Sequence, residues 1–238
     1  MYTLYTINSR TGFIQGELSM LITARNAGSA PFAAPDAALW QQLPATTISL
    51  MGTPVAMQPS GFVVNTFRDQ KIGVVPKLLC KAAHNGSALA LYLEWSDQQP
   101  DTSLSDNDRF PDGAAVMFPL KGDATLMTMG SEQQPVNAWH WKANHPKQVN
   151  NNIATGFGST YVTKDVGITA SAKHSNGRWQ LVLSRTINFS GSNSISLALN
   201  QPIKIAFAVW EGSNGERGGL KSFSPEWHTL LLADGGAP

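Results

Sequence analysis

The residues with the clearest chemical potential lie in AFAVWEGSNGERGGLKSFSPEW, residues 206–227, where a glycine-rich turn leads into a strand-like run. Side chains alternate faces along a strand, so Lys221 shares a face with Phe223, and Ser222 and Ser224 take the other. If Phe223 is buried, Lys221 is buried too. A buried lysine without a carboxylate partner tends to lose its proton, and the free amine can serve catalysis or bind a metal. The alternative is an exposed lysine, the usual state of this residue type.

A methionine in the run AAVMFPL, residues 114–120, is the second candidate. Ala115 and Met117 share one face of this predicted strand, and the larger side chains face the other way. The small neighbour leaves room around the methionine. Methionine in an apolar strand is ordinarily part of the core, but its thioether can also bind a soft metal centre.

An acidic run, WSDQQPDTSLSDNDRFPD at residues 95–112, is the third candidate. Its carboxylates are Asp97, Asp101, Asp106, Asp108 and Asp112. Hard oxygen ligands this close together can bind calcium, although no glutamate closes the run as it would in an EF-hand loop. A solvated loop braced by its own aspartates is the alternative.

The composition excludes several classes of function. A formal net charge of +1 over 238 residues gives no basic surface for nucleic acid. The single cysteine, Cys80, excludes an intrachain disulfide, a four-cysteine iron-sulfur cluster and covalent c-type heme attachment. No GxSxG elbow or helical metal-binding pair of histidines supports a hydrolase. No apolar run is long enough for a transmembrane segment, and no secretory signal is visible, which predicts an internal protein, a mature form or export with a partner.

Short apolar runs separated by turn residues predict an all-β, single-domain antiparallel β-sandwich with a few short helical turns. Asn-Gly pairs at 85–86 and 176–177 predict two hairpins, and a helical turn is expected near 36–42. We expect one domain over residues 1–238 with a looser segment at 1–45, in which residues 1–25 form one or two edge strands. The predicted strands are 46–50, 74–83, 88–95, 114–120, 136–142, 167–174, 178–185, 203–210 and 220–223.

Five blocks together resemble a known family. They are LYLEWSD (91–97), DNDRFPDGAAVMFP (106–119), VNAWHWKA (136–143), GRWQLVLSR (177–185) and IAFAVWEGSNGERGGLKSFSPEW (205–227). In this order they are similar to the heme b-binding gamma subunits of ethylbenzene dehydrogenase, dimethylsulfide dehydrogenase, selenate reductase and chlorate reductase, type II members of the DMSO reductase family. The resemblance spans roughly residues 70–232, and the first 70 residues match only loosely.

The resemblance implies one non-covalent heme b whose iron has two axial ligands, Met117 and Lys221. We expect the sandwich to bring these two residues together across its layers. His140 and His228 are the next candidates for a ligand, because imidazole commonly binds heme iron. The resemblance also makes three tryptophans candidate walls of the porphyrin, although a core position would suit them equally. They are Trp139, Trp141 and Trp210.

The resemblance further implies a non-catalytic electron-transfer subunit within a molybdenum-dependent oxidoreductase complex. Its partners would be a molybdopterin catalytic alpha subunit and an iron-sulfur beta subunit, forming a heterotrimer that exchanges electrons with a soluble cytochrome c or similar carrier. The molybdenum and the clusters would belong to the partners, and the complex would be periplasmic. A ligand-binding β-sandwich resembling a carbohydrate-binding module is the alternative function, because such modules also display tryptophans and bind calcium through aspartate loops.

Overall fold

Alternating apolar runs form strands through most of the computed structural model. It describes residues 19–105, 109–164, 167–189, 191 and 193–236. The strands are β1 Leu21–Asn26, β2 Thr46–Ser49, β3 Met51–Gly52, β4 Lys77–His84, β5 Ala88–Ser96, β6 Gly113–Pro119, β7 Val136–Lys142, β8 Val149–Ala154, β9 Tyr161–Val162, β10 Thr169–Ser175, β11 Arg178–Thr186, β12 Pro202–Trp210, β13 Ser222–Phe223 and β14 His228–Gly236. The helices are α1 Leu39–Gln42 and α2 Gly61–Phe67, and single 3-10 turns lie at Val55–Met57 and Gly212–Asn214.

The strands form two layers that share one long strand. The first layer has the order β10-β11-β5-β4-β1-β14, with β2 also paired to β4, and the second has the order β12-β6-β7-β8-β9, with β13 and β3 beside β12. The first part of β12 pairs with β14, and its second part, from Ala206 onward, pairs with β6. Strand β12 therefore passes from one layer into the other. The predicted all-β sandwich is confirmed.

The core between the layers is built around tryptophans. Trp95 and Trp179 of the first layer meet Trp141 of the second, with ring centroids 6.3 Å and 5.1 Å from it. These rings belong to one large apolar cluster that takes residues from both layers. Burial of such large rings supplies much of the apolar area that holds the two layers together.

Both predicted hairpins are present. Asn176 and Gly177, between β10 and β11, have φ angles of 52° and 67°, the left-handed conformation that a tight two-residue hairpin turn requires. Gly86, between β4 and β5, has a φ of 81°. Nine predicted strands correspond to β2, β4–β7 and β10–β13, and α1 lies in the predicted helical turn.

Strand β1 differs from the prediction of an edge strand. It lies between β4 and β14 and pairs in parallel with both. The apolar Ile22 and Ala24 are fully buried, which explains why this short run enters the interior of the layer. Strands β8 and β14 and helix α2 were not predicted. No helix in the described part of the chain is long and apolar enough to cross a membrane.

Candidate functional site

A cavity of about 340 Å³ lies on the outer face of the second layer. Its floor is made by the small outward side chains of three neighbouring strands, Ala115 of β6, Ala138 of β7, and Ala206 and Ala208 of β12. These alanines lie side by side, because β6 pairs with both β7 and β12. With no larger side chain to fill it, the space above the strands stays open.

Loops cover this floor with apolar side chains. Residues 57–59 approach from one side, 126–129 from another, and 157–160 from a third. Met57, Met127, Met129 and Phe157 are the large apolar members of this cover. Methionine is flexible and adapts its shape, so such a cover suits a large apolar ligand. Sequence reasoning missed the cover, although the methionines of TLMTMG at 125–130 are a visible signal.

Met117 lies on the floor of the cavity. It is paired with Ala206 on one neighbouring strand and Ala138 on the other, so its side chain stands between small residues as the alternation predicts. The preceding residue, Val116, points to the opposite face of β6 and is fully buried in the core. The face assignment made for this strand is therefore confirmed, and the room around the thioether is real.

Lys221 lines the same cavity together with Phe223. The next two serines point the other way: the buried Ser222 Oγ accepts a hydrogen bond from Val75 N (3.2 Å), and the buried Ser224 Oγ accepts one from Phe207 N (2.9 Å). The predicted alternation of faces is confirmed. Lys221 itself is not part of β13, but its carbonyl oxygen accepts hydrogen bonds from Thr53 N and Oγ1, which fix its backbone.

The Lys221 side chain is half-buried, and its amine lies beside an aromatic ring. Burial lowers its pKa from 10.5 to about 8. Its Nζ lies 5.6 Å from the centroid of the Trp210 ring. Among the described residues, ion pairs join Arg178 to Glu94 and Lys204 to Asp123, and neither involves Lys221. Burial in the folded chain therefore makes the Lys221 amine easier to deprotonate.

His140 also lines the cavity and offers it an imidazole nitrogen. Its ring lies 4.6 Å from the Trp210 ring, and it occupies the position on β7 opposite Ala115. Burial, with smaller contributions from the positive charges of Lys142 and Lys221, lowers the pKa of His140 to about 3. The imidazole is therefore neutral. His228 lies elsewhere, on β14, where its Nδ1 accepts a hydrogen bond from Met20 N.

The three tryptophans named from the sequence divide between two environments. Trp139 and Trp141 are fully buried in the core between the layers. Trp210 lines the cavity, and its Nε1 donates to the carbonyl oxygen of Gly218 at 3.0 Å. Of the three, Trp210 alone has the position of a cavity wall.

The site also corrects the expected route by which the donors meet. Strands β6 and β13 both pair with β12, on either side of it. Met117 and Lys221 therefore meet on one face of a single layer, and not across the two layers of the sandwich. The physical reason is the alternation of side chains, which turns the cavity-facing residues away from the core between the layers.

A buried glutamate braces the turn before Lys221. Glu216 Oε1 accepts a hydrogen bond from Gly73 N (2.8 Å), and Oε2 accepts one from Glu211 N (3.1 Å). Gly219, in the same turn, packs beside the Gln58 side chain, whose amide would have to move aside to admit a Cβ at this position. The turn is thus a rigid support for the lysine.

A second group of charged residues lies just beyond Trp210. One oxygen each of Asp97, Asp112 and Glu211 come within 4.8 Å of one another. Two of these residues belong to the acidic run, for which a calcium site and a solvated loop braced by its own aspartates were the alternatives, whereas Glu211 was not predicted. Asp106 and Asp108 of that run lie outside the described residues. The signal for Glu211 was its place directly after the strand 203–210.

Comparison with solved structures identifies a common fold. The structure is similar to a family 9 carbohydrate-binding module from Caldicellulosiruptor kristjanssonii in complex with glucose, with a TM-score of 0.55, 10% identity, and coverage of 92% of this chain and 97% of that one. A putative carbohydrate-binding protein from Bacteroides uniformis gives a TM-score of 0.54 at 8% identity, covering 90% and 100%. At such low identity the likeness concerns the fold alone.

Comparison of sequences gives closer relatives. The chain is 34% identical over 199 residues to the chlorate reductase subunit gamma of Ideonella dechloratans, covering 83% of this chain and 79% of the relative. It is 32% identical to a putative respiratory nitrate reductase heme subunit of Haloferax mediterranei, covering 90% and 77%. It is 28% identical to the dimethylsulfide dehydrogenase subunit gamma of Rhodovulum sulfidophilum, covering 86% and 77%.

The family model described as ethylbenzene dehydrogenase matches residues 37–167 and 161–222. These ranges include the floor of the cavity, most of its cover, and both Met117 and Lys221. With this match and the relatives above, the chain belongs to the ethylbenzene dehydrogenase family.

Proposed function

We propose that this chain is an electron-transfer subunit that binds one non-covalent heme b in the cavity, with Met117 and Lys221 as the axial ligands of the iron. The observation that carries the proposal is that these two donors, far apart in the sequence, line one cavity. The chain's relatives include a protein named as a heme subunit.

The lining of the cavity fits such a group. Its sulfur and nitrogen donors are four thioethers, an amine and an imidazole, and the described residues that line it include no aspartate or glutamate. Soft and borderline donors of this kind suit heme iron, whereas Ca²⁺ and Mg²⁺ require oxygen ligands. The alanine floor and methionine-rich cover provide the apolar surface that a flat macrocycle needs.

Lys221 is prepared for ligation by its surroundings. A metal competes with a proton for the amine, so only the neutral form can bind. Because burial lowers the pKa of Lys221 to about 8, a substantial fraction is neutral near pH 7 to 8. The hydrogen bonds from Thr53 to the carbonyl oxygen of Lys221 hold the backbone in place while the side chain reaches into the cavity.

Bound heme iron would supply one-electron oxidation and reduction. Met117 would favour the reduced state, because thioether ligation raises the potential. If Met117 and Lys221 both hold the iron, no ligand position would be left for a substrate. The chain's residues therefore support electron transfer and not catalysis.

The proposed partners follow from the family. The relatives named as gamma subunits belong to chlorate reductase and dimethylsulfide dehydrogenase. We propose the same type of assembly here, with a molybdenum-containing alpha subunit, an iron-sulfur beta subunit and a soluble carrier such as cytochrome c, in the periplasm. Co-purification of the complex followed by metal analysis tests this assignment.

Titration of the purified full chain with hemin tests the heme proposal. We expect a one-to-one complex with the spectrum of low-spin, six-coordinate iron. Met117→Ala and Lys221→Ala should each perturb that spectrum and shift the potential, whereas Met20→Ala and Lys77→Ala, at exposed positions, should not. Failure of the folded chain to shift and sharpen the Soret band of free hemin would refute the proposal. An unchanged spectrum in Lys221→Ala would move the ligand to His140.

A further inference from the structure

The carboxylate cluster, Asp97, Asp112 and Glu211, forms at a point where strand ends from both layers meet. Asp97 follows β5 in the first layer, Asp112 precedes β6 in the second, and Glu211 follows β12. Trp210 pairs with Gly113, so Glu211 and Asp112 are neighbours by register. The fold therefore brings three acidic side chains together from three separate elements.

The cluster is buried and lacks a cationic partner. Asp97, Asp112 and Glu211 are 4%, 0% and 9% exposed. Neither ion pair in the described part of the chain involves them. A histidine, which can carry a positive charge, lies close by: His174 Nε2 is 3.0 Å from the Asp97 backbone oxygen. Buried carboxylates in such a position normally have a partner or a metal.

Burial and mutual repulsion both disfavour the charged forms of these carboxylates. Burial, followed by the charge of Glu211, raises the pKa of Asp97. Burial also raises the pKa values of Asp112 and Glu211 to about 7, with repulsion from the neighbouring carboxylates adding to it. A bound cation would remove this repulsion.

Unsatisfied oxygens give an independent indication of a ligand. Asp97 Oδ1 accepts a hydrogen bond from Gln99 N (2.9 Å), but its Oδ2 is buried without a hydrogen-bond partner. One oxygen of Asp97 lies within 4.8 Å of an oxygen of Asp112 and of Glu211, so this carboxyl group faces the cluster. Asp101 Oδ2, on the same loop, is also buried without a partner. Buried acceptors left unpaired are costly, so each requires an explanation.

The cluster is held in shape by donors around it. Asp112 Oδ1 accepts from Gly212 N (2.9 Å), and its Oδ2 accepts from Trp179 Nε1 (3.0 Å) and from Asp101 N (2.6 Å). Glu211 Oε1 accepts from Ser213 Oγ (2.8 Å). These bonds orient the carboxylates and leave lone pairs available for a metal.

Gly212 permits the close approach of the acidic loop. A Cβ at this position would lie 2.1 Å from the carbonyl oxygen of Phe110 and 2.8 Å from Asp101 Cβ. Only glycine allows the loop and the strand end to come so near to each other. The loop is therefore fitted against Glu211, and is not merely solvated beside it.

We propose that Asp97, Asp112 and Glu211, with Asp101 at the rim, form a divalent-cation site of the calcium class. All the donors are hard oxygens, which Ca²⁺ prefers. Ca²⁺ holds oxygens at about 2.3–2.6 Å, so opposite ligands lie about 5 Å apart, which accommodates oxygens within 4.8 Å of one another. The glutamate that the acidic run lacks is supplied by Glu211, from another strand.

Terbium luminescence tests this site on the full chain after treatment with a chelator. Tb³⁺ occupies calcium sites, and Trp179, which is bonded to Asp112, is placed to transfer excitation energy to it. We expect tryptophan-sensitised Tb³⁺ emission that Ca²⁺ displaces more effectively than Mg²⁺. Asp97→Asn and Glu211→Gln should each weaken Tb³⁺ binding by more than about tenfold. Asp123→Asn, at an exposed carboxylate, is the matched control and should bind as the unaltered chain does.

Thermal unfolding with and without Ca²⁺ gives a second measurement. Ca²⁺ should raise the melting temperature of the unaltered chain and of Asp123→Asn, but not that of Asp97→Asn or Glu211→Gln. If the folded chain shows neither sensitised emission nor a Ca²⁺-dependent shift, the cluster holds protons and the proposal is wrong. Because neither measurement involves heme, the result is independent of the proposed electron-transfer function.

Discussion

The cavity and the carboxylate cluster lie on either side of Trp210, and burial shifts the pKa values of their titratable residues in opposite directions. In the cavity, Lys221 stands among apolar side chains with a lowered pKa, and in the cluster, Asp112 and Glu211 have raised pKa values. Burial disfavours the charged form in both cases. The difference lies in the donors: the cavity gathers sulfur and nitrogen, and the cluster gathers oxygen alone. One short segment, from Trp210 to Lys221, thus connects two sites suited to different classes of metal.

The largest expected effect comes from filling the floor of the cavity. Ala206 is buried directly beside Met117, so Ala206→Phe places a ring where the macrocycle would lie. We expect heme uptake, measured by Soret absorbance, to fall by more than about a hundredfold, or about 2.7 kcal/mol. Tb³⁺ binding at the cluster should be unchanged. Ala206→Ser, which keeps the small volume, is the control, and equal loss at both sites would show that the variant has not folded.

Gly212→Ala should have the opposite effect on the two sites, because it should weaken Tb³⁺ binding more than heme uptake. The added Cβ overlaps the carbonyl oxygen of Phe110, and forcing such a contact typically costs about 1–3 kcal/mol of stability. We expect a lower melting temperature and weaker Tb³⁺ binding, with a smaller effect on heme uptake. Gly61→Ala meets no atom within 4 Å and serves as the control, because alanine is tolerated in a helix. Equal melting temperatures in the two variants would contradict the close approach.

The pH dependence of heme uptake should separate the two regions further. Below a pKa of about 8, the neutral fraction of Lys221 falls about tenfold per pH unit, so uptake should fall with it. Lys221→Ala should lack this dependence. In the heme-free chain the unfolded state binds more protons at this residue, so its contribution to stability should rise between pH 8 and 10.5. Uptake with the same slope in Lys221→Ala would assign the titration to another group.

The smallest expected effect concerns the residue between the two sites. Trp210→Phe keeps an aromatic ring beside Lys221 and His140, but it removes the hydrogen bond to Gly218 O. We expect a loss of about 0.5–1.5 kcal/mol in the free energy of unfolding, measured by urea denaturation. Both heme and Tb³⁺ should still bind. Loss of either ligand would mean that Trp210 does more than close the turn.

Alternation along strands made much of the structure predictable. It assigned Lys221 and Phe223 to the same face of their strand, and Ala115 and Met117 to the same face of theirs. The structure confirms both assignments, since all four residues line the cavity. The alternation of side chains every two residues depends only on the local strand, so it can be predicted without knowledge of the tertiary fold. The short strands and Asn-Gly turns predicted the sandwich for the same reason.

Long-range pairing was not predictable in this way. The sequence did not indicate that β6 and β13 both pair with β12, and so the two donors were expected to meet across layers. Glu211 was missed because its neighbours are remote in the sequence: the register of β12 with β6 brings Asp112 beside it, and Asp97 comes from the end of β5 in the other layer. The cover of the cavity comes from loops, whose paths carry no periodic signal.

The parallel strand β1 has a consequence for the order of events during synthesis. It lies between β4 and β14. Just before it, Met20 N donates a hydrogen bond to His228 Nδ1, 208 positions away in the sequence. A nascent chain leaves the ribosome from its N-terminus, so β1 must wait for almost the whole of this sequence before its second neighbour exists. Lys221 is made shortly before that strand. The first layer and the cavity therefore become complete at nearly the same point of synthesis, and the first layer cannot form fully before the residues of β14 have been made.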